Sequence, residues 1–80
     1  MKKAIEYQNK IEQHLKEYRE TVAKYLRTIP GTVKYLKLIE REAVLWDTLT
    51  KEYFYPIGSL CDIITEEGEK HTKEKLKKIA

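Results

Sequence analysis

Two prolines divide this chain and set what it can fold into. Pro30, followed by Gly31, and Pro56, followed two residues later by Gly58, are the only prolines among 80 residues. Proline pushes the residue before it out of helical geometry, here Ile29 and Tyr55. Three segments result, 1–29, 32–55 and 59–80, with Gly68 the one further glycine.

The first segment repeats its apolar residues at alternating spacings of four and three: Ala4, Gln8, Ile11, Leu15, Tyr18, Val22, Tyr25 and Ile29. That is a helical seam. Glu6, Gln13, Glu17, Glu20, Lys24 and Arg27 project to the opposite side, as a solvated face should. The spacing predicts a helix over about residues 3–28. In the second segment Tyr35, Leu36, Leu38, Ile39, Ala43, Leu45, Trp46, Leu49, Tyr53 and Phe54 cover about half the circumference of a helix over about 33–55. A stripe that broad touches two neighbours, so this second helix is expected at the centre.

The third segment admits two readings. Ser59-Leu60-Cys61-Asp62 has the pattern of a capping box, in which a serine hydroxyl accepts from the third helical N–H and the acid reaches back. Leu60, Ile63 and Ile64 then form a short apolar face, and a continuous helix is expected to align Leu60, Ile64, Leu76 and Ile79. Gly68 either caps that helix or costs it about 1 kcal/mol. The alternative pairs 53–55 with 60–64 as a β-hairpin, and the capping pattern favours the helix.

The expected architecture is therefore all-α: a long antiparallel helical hairpin (about 3–28 and 33–55) plus a short C-terminal helical segment, forming a small bundle. Residues 1–80 make a single helical domain, with 68–80 as a separate basic helix or tail in the alternative division. A helix over 3–28 is about 39 Å long, longer than a compact globule of 80 residues is wide. The third segment brings few apolar residues to cover two such stripes. A second copy of the chain supplies the missing cover, so a dimer is expected.

Chemistry is sparse. The chain has no glycine-rich phosphate loop, no paired cysteines and no nucleophile-elbow motif. His14 and His71 lie in different segments, which leaves no three-ligand metal spacing. The expectation is a non-enzymatic protein with no cofactor. Cys61 is the only cysteine, which points to a reducing compartment and hence the cytoplasm. No apolar run approaches the roughly 18 residues of a membrane span.

Partners are hinted at by two features. Six Tyr and one Trp stand out in so short a chain, and such side chains bury large area while keeping a polar tip. Tyr7, Tyr18, Tyr25, Trp46, Tyr53 and Tyr55 are accordingly the protein-interface candidates. Glu42 sits inside the apolar arc of the second segment. It pairs with His14 or a Tyr hydroxyl of the first helix, or with a Lys or Arg of a second chain as a buried register device, or else reaches water at the margin of the arc. The second feature is charge. Residues 70–80 hold five Lys against one Glu, enough to account for the formal net charge of +3. Lys70, Lys73, Lys75, Lys77 and Lys78 are the candidate phosphate contacts if the partner is DNA or RNA. No Arg, Asn or Gln follows Arg41, which removes the best base-reading side chains. The leading expectation is a small regulator, adaptor or inhibitor that binds itself and another protein, a role that fits a phage or other mobile element. Nucleic-acid binding is the alternative.

Overall fold

The computed structural model describes residues 2–79. Its order is α1 (Lys2–Leu26), α2 (Val33–Asp47), a π-helical turn (Thr48–Glu52) and α3 (Ile57–Ile79). Three helices pack together, and no strand occurs among the described residues, so the β-hairpin alternative is not formed.

Each boundary has a local cause. α1 ends where the N–H groups of Arg27 and Thr28 turn to the carbonyls three residues back, at 3.1 and 3.2 Å, tightening the last turn before Pro30. Gly31 takes φ +87 in the turn, a conformation that glycine adopts without steric cost. Thr32 then caps α2: its hydroxyl oxygen accepts from the Tyr35 N–H at 3.2 Å, and its O–H donates to the Ile29 carbonyl at 2.8 Å.

α2 is shorter than its apolar pattern suggests. The regular helix stops at Asp47 and widens into the π-helical turn. Thr48 and Thr50 sit at that point, their hydroxyls donating to the Val44 and Trp46 carbonyls at 2.9 and 2.8 Å. Hydroxyls bonded to the preceding turn compete with the backbone ladder and bend helices. α3, in contrast, is longer than expected. It runs unbroken through Gly68 for 23 residues, almost the length of α1. Its first turn is built on the Pro56 carbonyl, which accepts from Ser59 at 3.1 Å and Leu60 at 3.4 Å. Ser59 therefore lies inside the helix, and the expected capping box is replaced by this earlier start.

Tyr18, Val22, Leu45, Leu49, Leu60 and Ile63 form the buried core, with Leu15, Tyr25, Trp46, Tyr53, Tyr55 and Ile64 packed around it. The central element is α1 rather than α2. It lies along both other helices, while α2 and α3 approach each other closely at few points. The expected arc is thus split: one part faces α1, while Leu36, Ala43 and Phe54 are exposed, as are Val33 and Val44 outside the arc. The alignment of Leu76 and Ile79 with Leu60 and Ile64 also fails, since Leu76 is 60% and Ile79 83% exposed. At about 3.6 residues per turn, those positions rotate off the core face over the length of α3.

Ion pairs tie α1 to its neighbours. Arg27 meets Glu74 through two nitrogens at 2.8 and 3.1 Å, and Arg41 meets Glu17 at 3.2 Å. Arg19 reaches Glu66 and Glu67 at 3.0 Å. Glu67, only 4% exposed, also receives Lys70 at 3.4 Å, so its burial is compensated by two cations. The assembly is long and thin, 51 × 27 × 19 Å, with a radius of gyration of 14.6 Å against about 12 Å for a compact chain of this length. No described helix is long and apolar enough to cross a membrane.

Candidate functional site

The corner joining α2 to α3 departs most from ordinary backbone and side-chain preferences. The π-helical turn leaves its last carbonyls without the usual partners, and the chain closes on itself through the Tyr55 N–H, which donates to the Leu49 carbonyl at 2.9 Å. That closure requires a left-handed residue, the position normally given to glycine or asparagine. Here it is Phe54, at φ +52. The ring of Phe54 is 82% exposed. One residue therefore carries backbone strain of roughly 1–2 kcal/mol and leaves about 1.5–3 kcal/mol of burial unrealised.

The neighbours of Phe54 hold the corner in place. Tyr53 stacks edge-on against Tyr7, with ring centroids 5.1 Å apart, and lies 5.3 Å from the ring of His14. His14 is itself fixed, Nδ1–H donating to the Lys10 carbonyl at 2.7 Å. On the other side of the chain Tyr55 packs against the core and walls a hollow of about 510 Å³. Leu15 and Ile63 line that hollow with Tyr55, and Lys16, Arg19 and Asp62 stand at it. Ile57, the first residue of α3, is exposed beside the corner in sequence. An apolar knob beside a hollow that mixes apolar walls with Lys16, Arg19, Ser59, Asp62 and Glu66 is suited to seating against another macromolecule.

The six aromatic candidates separate into two groups. Tyr7 and Tyr53 stack at this corner with His14, while Tyr55 turns to the core on the other side of the chain. Tyr18, Tyr25 and Trp46 lie in or against the core: Tyr18 is 6.2 Å from Trp46, and Tyr25 6.2 Å edge-on to Tyr35. They serve the α1–α2 contact. Phe54 and Ile57 were not legible as exposed apolar residues from pattern alone. Their only sequence signal is an aromatic run, Tyr53-Phe54-Tyr55, placed against a proline.

Glu42 is half-buried and stands beside Tyr18 and Tyr25 rather than His14. Burial raises its carboxyl above the ordinary range, and the Tyr18 hydroxyl partly offsets this. The Tyr18 oxygen is wholly buried and has no partner in hydrogen-bonding geometry, so Glu42 acts on it at longer range. Burial first, then the Glu42 charge, push that hydroxyl well above the usual tyrosine value. The deepest acid of the described residues is Glu67, which lies seven residues after Leu60 on the same face of α3. That spacing was the available signal.

The five lysines are spread around α3 and not gathered on one side. By helical projection Lys70, Lys73 and Lys77 share a flank with Glu66, while Lys75 and Lys78 point elsewhere, and Lys70 is engaged with Glu67. Cys61 is exposed, and no cluster of three His, Cys, Asp or Glu suited to a metal ion occurs among the described residues. The chain matches no family model, and no curated protein or solved structure shows significant similarity to it.

Proposed function

We propose that this chain is a non-enzymatic protein-binding module, a small adaptor, regulator or inhibitor of the cytoplasm. It docks on its partner through the Phe54 corner and acts as a dimer. The observation that carries this reading is Phe54 itself, strained and exposed in the same residue. Sparsely populated backbone conformations persist where the surroundings over-determine them, and they cluster at ligand clamps and switch regions. π-helical turns are likewise frequent at functional sites. The partner that fits presents an apolar pocket sized for a phenyl ring, with charged groups able to meet Lys16 and Asp62. The remainder of the molecule is the scaffold. The order of aromatic contacts, Tyr7 with Tyr53, Tyr18 with Trp46 and Tyr25 with Tyr35, supports an antiparallel α1–α2 hairpin as its base.

Immobilised protein challenged with extract of the source cell, with and without nuclease, tests the class of partner. Retention of one protein that survives nuclease is expected. Retention abolished by nuclease, and by replacing Lys73, Lys75, Lys77 and Lys78 with Gln, would move the function to nucleic-acid binding.

A further inference from the structure

The outward face of α2 has a spacing that is the same read in either direction, with charges that exchange sign on reversal. Val33, Lys37, Glu40 and Val44 are spaced by four, three and four residues, which places them within about 60° of one another on a helix turning 100° per residue. They point away from the core-facing Tyr35 and Trp46, and all four are exposed. Val33 is 69% and Val44 59% exposed, and Leu36, 55% exposed, flanks them together with Ala43. Among the described residues neither Lys37 nor Glu40 forms an ion pair, although Asp47 and Arg41 on the same helix do.

We propose that this face is a self-recognition surface, on which α2 packs antiparallel against α2 of a second copy of the chain. The inference rests on the dimer reading above and names where the two copies meet. A two-fold axis through the middle of the stripe sets Val33 against Val44 of the other copy, and Lys37 against its Glu40. Each contact occurs twice, as an isologous interface demands. Leu36 falls within about 3 Å along the axis of Ala43 of the other copy on the same flank, so the apolar groups left over from α1 packing lie near one another. A stripe whose charges alternate in this order is complementary to itself read in reverse and to no arbitrary helix, which is why a second copy is the occupant. From Val33 to Val44 is about 17 Å of helix. A contact of that length is at the small end of specific interfaces, so association in the micromolar range or weaker is expected.

The test is sedimentation equilibrium at low salt on the intact chain and two charge reversals, Lys37→Glu and Glu40→Lys. Each reversal alone turns both ion pairs of the dimer into like-charge contacts and is expected to weaken association by about tenfold or more. Mixing the two variants restores opposite charges across every contact. The mixture is therefore expected to associate as the unmodified chain does, which also shows that both variants are folded. Unmodified protein that stays at 9.5 kDa throughout the range overturns the dimer reading and this interface together. Association that is unchanged in both single variants, or that is weakened but not restored by mixing, leaves the dimer standing and overturns the α2 interface.

Discussion

Phe54 is where the residue scale is most informative, because its strain and its exposure have separable consequences. Phe54→Gly relieves the left-handed conformation and removes no core contact, so thermal or denaturant unfolding should show a gain of about 1 kcal/mol. A loss would mean that the ring packs on the corner after all. Tyr18 makes the converse point. Its buried, unpartnered hydroxyl costs stability, so Tyr18→Phe should be neutral or stabilising, whereas a loss beyond about 1 kcal/mol would reveal a hydrogen bond to Glu42. Glu42 titrates with a raised value, so the folded state holds its proton more tightly than the unfolded chain. Its favourable contribution is complete below the ordinary carboxylate range and is lost as pH rises through the raised folded value. Glu42→Gln should therefore be more stable than the unmodified chain at neutral pH, with the gain vanishing in acid. A gain that persists in acid would contradict the assignment. Glu74, held low by Arg27, runs the opposite way: its contribution is present above the ordinary carboxylate value and is lost as pH falls through its lowered one. Glu42 could be singled out from pattern because it interrupts an apolar arc. Phe54 could not, since an aromatic residue reads as core until the backbone beside it is known.

At the scale of elements, the seam of α1 was legible because four consecutive heptad-spaced residues, Leu15, Tyr18, Val22 and Tyr25, contact or form the core. Ends were less legible, for reasons visible in two hydroxyls. Ser59 matches a capping pattern yet lies within α3, because Pro56 has no N–H to satisfy and its carbonyl starts the helix earlier. Thr32 is the cap in use, masked in the sequence by the turn residues before it. Thr32→Ala should cost about 1 kcal/mol, and Ser59→Ala should change stability by less than about 0.5 kcal/mol. Equal losses in the two variants would contradict this assignment of caps. Gly68 lies mid-helix with open space where a Cβ would stand, so Gly68→Ala should raise stability by about 0.5–1 kcal/mol in thermal unfolding. A fall would place a close neighbour there. The early end of α2 had a signal too, the Thr48-Leu49-Thr50 pattern, whose hydroxyls take carbonyls from the helical ladder.

Across the whole molecule, a helical chain is the favoured reading of the sequence, with a β-hairpin over 53–64 left open, while the arrangement of the helices is not legible. A broad apolar arc says that a helix has apolar groups on many sides, and leaves open whether a neighbour covers them. In α2 it does not: α1 takes the centre, and Leu36 and Ala43 stay outside. The same thinness that leaves them exposed limits the core to a few residues, so the molecule has little stability to give up for function. That makes the cost carried at Phe54 decisive for the account. The direct measurement compares the unmodified chain with Phe54→Gly and Phe54→Trp, each immobilised in nuclease-treated extract, with unfolding followed on the same preparations. The account predicts that Phe54→Gly is the more stable protein and retains no partner, while Phe54→Trp retains it. A Phe54→Gly chain that is more stable and still captures the same partner at undiminished level would contradict the corner as the docking site.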